Sequence, residues 1–246
     1  MFAVHNHPHT GWRTRRRPVM PQRTLCAALL GCVSLLHAVN ADYLDQLKEK
    51  VPYYRTMTGR FAPLYPAFAK QMVQDYGLKA GVAVDVGSSC GGFAMELARQ
   101  TAMKVYAIDI DTATVRLCGA LVDQAELTGR VVPLEGDALD LPLRDNFADF
   151  VFSRGSIPFW PDQVQGLKEC YRILKPGGVA YVGGGFGRLL DPEIRAKLVR
   201  DHQNWKKKPD GWQDLDDLDK KAEQAGLPRF RFLTEPDVGW WLEIRK

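Results

Sequence analysis

The chain has 246 residues, of which 46% are hydrophobic and 25% are charged, as in an ordinary globular protein. Its formal net charge of +4 comes from the first 41 residues, which contain five arginines and no acidic residue. Without that segment 28 basic residues face 29 acidic ones, so the rest of the chain has a net charge of −1 and lacks the basic surface that nucleic-acid binding needs.

Histidine and cysteine usage excludes further classes of site. His5, His7, His9 and His37 precede residue 42, and His202 is the one histidine after it. A histidine-based metal site or catalytic triad is therefore not expected in the folded part, and the alternating histidines near the start are better explained as an incidental cluster. The five cysteines form no C-x-x-C pair, which favours structural thiols in a reducing compartment.

We predict that residues 1–41 are a leader or a disordered segment, followed by one domain over residues 42–246. An arginine-rich lead and an apolar stretch from Leu25 to Leu36 resemble a secretory signal peptide. An organellar transit peptide, a lipoprotein-like "LLGC" box and a translation start at Met20 are open alternatives. The apolar stretch is short for a membrane span. We expect the domain to work in the cytosol or in an organelle matrix, without a membrane span in its folded part.

From residue 42 onward, short apolar runs alternate with helical periodicity, which is typical of a βαβ series. An amphipathic helix is predicted over Arg60–Tyr76. The predicted strands are Val82–Val86, Lys104–Asp109, Val131–Glu135, Ala148–Ser153 and Val179–Gly183. Further helices are predicted at Gly92–Thr101, Thr112–Leu127, Asp162–Leu174, Asp191–Trp205 and Asp214–Ala225. The breaker "KPGG" (residues 175–178) ends the third of these helices. The tail "RFRFLTEPDVGWWLEIRK" predicts a closing hairpin. The pattern indicates one α/β domain with an open, doubly wound, mostly parallel sheet.

The stretch "VAVDVGSSCGG" (residues 82–92) joins the first strand to the following helix, where doubly wound sheets bind ligands. Gly87 and Gly91 allow a tight turn and a close approach to the backbone. The dinucleotide pattern G-x-G-x-x-G fails because Ser89 replaces the middle glycine. Asp85 would repel a pyrophosphate and attract a cation. The loop therefore favours S-adenosylmethionine, which carries an ammonium and a sulfonium and no phosphate.

Two more carboxylates follow the next two strands. Asp109 ends the second strand in "YAIDID", where an acid can accept both hydroxyls of a ribose. Asp137 follows the third strand in "EGDALDLP", where it can accept a hydrogen bond from an adenine amino group. Each acid alone could be a helix cap or a turn former. Three acids after three successive strands indicate a ligand site instead.

These stretches, with "ADFVFSRGS" and "ILKPGGVAYVGGGFG", resemble the class I S-adenosylmethionine-dependent methyltransferase family, of the small-molecule type similar to the quinone-biosynthesis methyltransferases. The resemblance covers residues 60–246. It implies a Rossmann-like, seven-stranded sheet with an antiparallel last strand. The cofactor-binding residues that it implies are Tyr65, Asp85, Gly87, Ser88, Ser89, Gly91, Asp109, Ile110, Asp137, Ala138 and Ser153. The chain departs from the family at Ser89, usually glycine, and at Cys90, where proline or glycine is common; neither departure changes the charge.

The resemblance also implies an in-line methyl transfer to a small-molecule acceptor. Such a reaction needs positioning and exclusion of water more than a catalytic triad or a metal, so we assign no catalytic residue and no metal ligand. The candidates for substrate binding are Arg154, Ser156 and Asp162. Arg154 is expected either to bind a carboxylate or another anion, or to form a structural ion pair with a nearby aspartate.

Several alternatives stay open at this point. His202 is a possible base, although a surface position is the better expectation for it. Trp160 is expected to pack beneath the following helix, and one of Trp240 and Trp241 to pack in the core. A non-catalytic S-adenosylmethionine-binding protein and a nicotinamide-dependent oxidoreductase are the alternative functions. The oligomeric state and the methyl acceptor are left undetermined.

Overall fold

A computed structural model describes residues 42–51, 54–203, 213–235 and 238–246 of the chain. Leu44–Lys246 form one compact unit. The predicted leader, residues 1–41, lies outside the described residues. Within the described residues, no helix combines the length and the apolar character that crossing a bilayer requires.

Helices and strands alternate along the unit. The strands are β1 (Ala80–Val86), β2 (Ala102–Asp109), β3 (Val131–Glu135), β4 (Ala148–Arg154), β5 (Leu174–Gly185), β6 (Phe230–Glu235) and β7 (Gly239–Arg245). The helices are α1 (residues 42–50), α2 (Tyr54–Thr58), α3 (Leu64–Tyr76), α4 (Gly92–Gln100), α5 (Thr112–Gln124), α6 (Gln163–Ile173), α7 (Pro192–Gln203) and α8 (Leu218–Gln224), with a 3₁₀ turn at Ile157–Phe159.

The seven strands form one sheet in the order β3-β2-β1-β4-β5-β7-β6. β1 to β5 are parallel, and β7 pairs antiparallel with both β5 and β6. The predicted doubly wound sheet with an antiparallel last strand is confirmed. Because the strand order reverses between β1 and β4, the carboxyl ends of these two strands flank the crevice in which such sheets bind ligands.

Two apolar layers cover the sheet. On one face α3 and α4 pack over Phe150, Phe152 and Trp241, and the rings of Phe93 and Phe152 stack with centroids 3.7 Å apart. On the other face α6 and α8 pack over alternate strand residues. Trp241 is 1% exposed and Trp240 is 46% exposed, so the prediction that one of the pair packs in the core is confirmed. Each fully buried aromatic side chain stabilises the fold by about 2 kcal/mol.

The fifth strand differs from its prediction. It was expected to begin at Val179 after a break, but it begins at Leu174, directly after α6. The "KPGG" stretch is absorbed into the strand because Gly177 adopts φ +83° and the pairing with β4 shifts register between Ala148 and Phe150. The breaker ends the helix, as predicted, and then forms an irregular start to the strand.

The first predicted helix is also shorter than expected. The chain turns at residues 59–63, so α2 ends at Thr58 and α3 begins at Leu64. The predicted Thr112–Leu127 helix ends at Gln124, because the chain reverses through a left-handed Glu126 at φ +57°. Both corrections concern the ends of helices and do not change the assignment of the strand ends that flank the crevice.

Candidate active site at the carboxyl edge of the sheet

The glycine-rich loop after β1 is tied to the end of β2. The N–H groups of Gly87 and Ser88 both donate to the carbonyl of Ile108, each over 2.8 Å. Gly87 and Gly91 adopt φ +71° and +75°, which favours glycine at both positions. A Cβ at Gly87 would also collide with the side chain of Ser156. The loop therefore depends on glycine for its path and leaves its backbone open to a ligand.

Ser89, the departure from the family pattern, keeps the conformation that a glycine would have. Its φ is +50°, which costs a non-glycine residue about 1 kcal/mol. The Ser89 N–H donates to Oδ2 of Asp109 over 2.9 Å. That hydrogen bond holds the strained residue and joins the loop to the carboxylate predicted to bind a ribose.

Asp85 is buried beneath this loop. It is 3% exposed, and the N–H of Ala94, in the first turn of α4, partly offsets the effect of burial on its pKa. Burial and the nearby charge of Asp109 raise the pKa of Asp85 to about 8. The carboxyl is therefore mostly protonated at neutral pH, and a cation bound beside it would favour the ionised form.

Asp109 lies at the end of the adjacent strand and is half-buried. Its Oδ1 accepts from the N–H of Asp111 over 3.1 Å, and its Oδ2 accepts from Ser89. Burial raises its pKa. Asp111 itself caps α5 by accepting from the N–H of Thr114 over 2.7 Å. Ile110, between the two acids, is 67% exposed and presents an apolar surface at the rim.

Asp137 and Ala138 form the turn after β3. The N–H of Gly136 donates to the carbonyl of Asp109 over 3.0 Å, which brings this turn beside the end of β2. Oδ1 of Asp137 accepts from the N–H of Leu139 over 2.9 Å. The carboxylate thus acts as a turn former and is exposed at the same edge as Asp109. Its contact with an adenine stays a prediction.

Tyr65 covers the loop from α3. It is 8% exposed, and its hydroxyl donates to Sδ of Met57 over 2.9 Å. A Cβ at Gly92 would lie 2.7 Å from the Tyr65 ring, so the ring sits on the first residue of α4. Burial raises the pKa of Tyr65, and the phenol stays neutral. The placement agrees with the predicted covering role, which stays a prediction.

Ser153 and Ser156 belong to a hydrogen-bond cluster that joins β4 to β1. The two hydroxyl oxygens lie 3.1 Å apart, and Oγ of Ser156 donates to the carbonyl of Val86 over 3.2 Å. Nε1 of Trp160 donates to Oγ of Ser156 over 2.9 Å. Ser153 is fully buried, so this cluster gives both serines a structural role. Their predicted ligand contacts stay predictions.

The remaining substrate candidates are placed differently from one another. Asp162 caps α6 by accepting from the N–H of Gln165 over 2.9 Å, which explains its presence structurally. Trp160 packs on Gly166 of that helix, as expected. The side chain of His202 lies outside the described part of the chain.

Arg154 lies at the end of β4 and points across the crevice face of the sheet. Its Nε donates to the carbonyl of Gly185 over 2.8 Å. Its guanidinium carbon lies 4.9 Å from the ring centre of Phe61 and 5.8 Å from that of Phe68. Among the described residues no carboxylate lies within ion-pair distance of it. The structure thus shows no ion pair between Arg154 and an aspartate within the described part of the chain.

A cavity of about 250 Å³ lies elsewhere, beside the end of α3 and against β6 and β7. Its charged groups satisfy one another: Arg188 pairs with Asp75, and Glu243 accepts from Arg231 and Tyr76. None of the loop residues described above lines it. Within the described ranges no cluster of side chains has the composition of a metal site. The candidate ligand site at the β1, β2 and β4 ends is therefore separate from this cavity.

The strand order matches the Rossmann-like fold of solved methyltransferases. Residues 84–182 match a family of sequences described as a methyltransferase domain. The sequence match and the fold together support a class I S-adenosylmethionine-dependent methyltransferase.

Three similar proteins are described as methyltransferases, but the share of each chain that matches differs. Spinacia oleracea 2-methyl-6-phytyl-1,4-hydroquinone methyltransferase is 36% identical over 103 residues, which are 42% of this chain and 29% of that relative. A Methanococcus maripaludis protein assigned to the S-adenosyl-L-methionine-dependent methyltransferases has a TM-score of 0.70 and 29% identity over 82% of this chain and 93% of its own. Haemonchus contortus phosphoethanolamine N-methyltransferase 2, solved with S-adenosyl-L-methionine, has a TM-score of 0.53 and 23% identity over 78% of this chain and 45% of its own, which shows the fold alone. The stretch matched to the spinach relative spans less than a third of that relative.

Sequence reasoning missed the partners of Arg154 and of Ser156. Phe61 and Gly185 reach Arg154 from α2–α3 and from the end of β5, and no local signal links positions so distant in sequence. The Trp160–Ser156 hydrogen bond follows from a four-residue spacing in the 3₁₀ turn. That spacing offered a usable signal, because a buried tryptophan normally finds an acceptor for its N–H.

Proposed function

We propose that this chain is an S-adenosylmethionine-dependent methyltransferase that transfers a methyl group to a small-molecule acceptor by in-line displacement. The observation that carries the proposal is the electrostatic pair Asp85 and Asp109. Two carboxyl groups with raised pKa values lie at the ends of neighbouring strands, under a loop that requires glycine. Acids held in this way favour a cationic ligand and oppose a phosphate.

The residues present fit the proposed cofactor. Each oxygen of Asp109 accepts one backbone N–H and retains a lone pair for a ribose hydroxyl. Ile110 offers an exposed apolar side chain for the adenine ring. The backbone of Gly87 to Gly91 gives the methionine part close access, and Asp85 supplies the charge for its ammonium. The Tyr65 ring is placed to cover the sulfonium, with which it can form a cation–π contact.

The chemistry asks little of general acids or bases. S-adenosylmethionine supplies a methyl group that its sulfonium has already activated. The chain's residues have to hold the acceptor in line with that group and keep water out. Correct orientation of the reactants alone can raise the rate by several powers of ten. Tyr65 and Phe68, both buried on α3, form an apolar wall for this purpose.

The two alternatives make different demands. A nicotinamide-dependent oxidoreductase needs the backbone of the loop's middle residue to approach a pyrophosphate. Ser89 carries a side chain there, and Asp85 lies below it. A non-catalytic binder would use the same cofactor residues but would transfer no methyl group. Nothing in the structure or the comparisons favours either one.

Calorimetry tests the cofactor. We expect S-adenosylmethionine and S-adenosylhomocysteine to bind and NAD not to bind. Asp85→Asn should weaken binding of S-adenosylmethionine, whereas Asp111→Asn should not, because asparagine also caps a helix. Binding of NAD without S-adenosylmethionine would contradict the proposal.

Methyl transfer tests the activity. The full chain is incubated with methyl-labelled S-adenosylmethionine and a small-molecule cell extract, and we expect label in the extracted metabolites. The Asp85→Asn chain serves as the matched control. Tight cofactor binding with no transfer into any extract would instead support the non-catalytic alternative.

We also propose that the domain works in the cytosol or in an organelle matrix, where S-adenosylmethionine is available. The composition of residues 1–41 leaves a cleaved leader possible, and sequencing the mature N-terminus in fractionated cells tests it. A mature chain beginning at Asp42 in a secreted fraction would contradict this location.

A further inference from the structure

Arg154 has more hydrogen-bond donors than the protein uses. A guanidinium carries five N–H groups, and here Nε donates to the carbonyl of Gly185. Among the described residues, neither Nη1 nor Nη2 has an acceptor. These two nitrogens are also not fully buried. In the described part of the chain, the one fully buried side-chain polar atom without a partner is Oε1 of Gln163. The two Nη groups therefore face space that a ligand can enter.

Two other half-buried arginines of the domain use more of their donors. Arg172 donates to the carboxylates of Glu169 and Asp145, at 2.6 and 2.8 Å. Arg130 donates to three backbone carbonyls that close the end of α4. Arg154, by contrast, lies between aromatic rings with one backbone partner and no carboxylate partner among the described residues.

The surroundings of Arg154 make an anion favourable. Burial lowers its pKa, yet a guanidinium stays charged at any physiological pH. A charge held away from water against Phe61 and Phe68 lacks much of its hydration. An anion placed beside it would recover that energy, and a planar carboxylate matches the two Nη groups best.

The position of Arg154 assigns that anion to the acceptor. Asp85 pairs with Phe152 across β1 and β4, and Arg154 lies two residues farther along the same sheet face. Tyr65 is near both groups, since the charges of Arg154 and of Asp85 both act on the pKa of its hydroxyl. The acids thus lie on β1 and β2, where the cofactor is proposed to bind, and the cation lies at the end of β4.

We propose that the methyl acceptor is a carboxylate-bearing small molecule with an apolar or aromatic body, anchored by its carboxylate on Nη1 and Nη2 of Arg154. This inference rests on the proposed function and adds the substrate class to it. The carboxylate is the anchor rather than the methylated atom, because its oxygens are engaged by the guanidinium. The body lies against the aromatic side chains that flank Arg154.

Binding to the chain saturated with S-adenosylhomocysteine tests the inference. The probes are benzoate and hexanoate, each compared by calorimetry with its neutral amide. A charge-assisted hydrogen-bond pair gives an expected preference of about 10-fold or more for the carboxylate. Arg154→Met should abolish that preference, and Arg154→Lys, which keeps the charge but not the fork, should retain part of it.

Arg144→Met is the matched control. Arg144 is also an arginine over an aromatic ring, 5.9 Å from Phe147, but it is exposed and lies away from the crevice. This variant should keep the full preference. Affinity for S-adenosylhomocysteine is measured in every variant, so a misfolded Arg154→Met chain is recognised and the Arg154→Lys chain decides.

The outcomes separate the two proposals. If S-adenosylhomocysteine binds and carboxylates bind no better than amides, the inference about Arg154 is overturned and the proposed function stands. If S-adenosylhomocysteine does not bind the unaltered chain, the proposed function fails. If phenyl phosphate binds more tightly than benzoate and this depends on Arg154, the assignment to carboxylates is overturned.

Discussion

The substitution Asp85→Asn should remove a pH dependence of cofactor binding that the structure predicts. Burial and the charge of Asp109 raise the pKa of Asp85 to about 8 in the free protein. A cationic ligand selects the ionised carboxyl, so its apparent affinity scales with the ionised fraction. That fraction is about 1% at pH 6, about 9% at pH 7 and about 50% at pH 8 for a pKa near 8.

The expected magnitude follows directly. The affinity of the unaltered chain for S-adenosylmethionine should rise about ninefold from pH 6 to 7 and about fivefold from pH 7 to 8, through this carboxyl alone. The ligand's own amino group also titrates near pH 8. Its contribution is the same for both chains and cancels in the ratio of their dissociation constants.

Calorimetry at pH 6, 7 and 8 measures this ratio. Repeating the pH 7 titration in buffers of different ionisation enthalpy counts the protons released, which should be close to one for Asp85 and absent for Asp85→Asn. Without cofactor the sign is opposite: a raised carboxyl pKa makes the free chain lose stability as the pH rises from about 4 toward 8, and Asp85→Asn should flatten that loss. Equal pH dependence of binding in the two chains would refute the reasoning.

Two further predictions concern stability. Gly87→Ala should cost about 2 kcal/mol or more, because its φ of +71° is strained for alanine and its Cβ would displace Ser156; thermal unfolding measures this. Gly119→Ala is the control, since a Cβ there meets no atom within 4 Å in mid-helix and should stabilise slightly; an equal loss in both variants would contradict the argument. Burial opposes ionisation of Glu243, but hydrogen bonds from Arg231 and other donors outweigh it and lower its pKa to about 2. The stability from Glu243 is therefore present above about pH 4.5 and lost as the pH falls toward 2. Glu243→Gln should weaken that acid-side dependence in urea unfolding between pH 5 and 2.5, and an unchanged slope would count against it.

The fold could be predicted from the sequence wherever local pattern and packing agree. β3 was predicted to the residue, and β1 and β2 each gained two residues at their start. β5 was mispredicted because a proline and two glycines normally end regular structure. Here pairing with β4 on one side and β7 on the other carries the irregular stretch into the sheet. Such tertiary pairing leaves no trace in a local window.

The residue types of the candidate site could be predicted from the sequence, but the protonation and the partners of its side chains could not. The glycines and acids of the loop could be picked out because their types and spacing limit which ligand fits. The protonation of Asp85 depends on burial by α4 and on Asp109, which come from other parts of the chain. The missing partner of Arg154 is likewise a three-dimensional property, since sequence alone offered many aspartates that could have paired with it.

The crevice keeps an arginine and two acids near one another without pairing them. Arg154 donates to the carbonyl of Gly185, and burial keeps Asp85 mostly protonated, so the two do not form an ion pair. A chain that needed only stability would gain by closing this pair or by replacing it with apolar residues. In the free protein a neutral Asp85 and an Arg154 charge without a carboxylate partner among the described residues are both costly to keep, and a cation beside Asp85 and an anion beside Arg154 would each offset that cost. Under the two proposals, a sulfonium donor and a carboxylate-bearing acceptor would bind in the same crevice, because each would supply the charge that its binding residues lack.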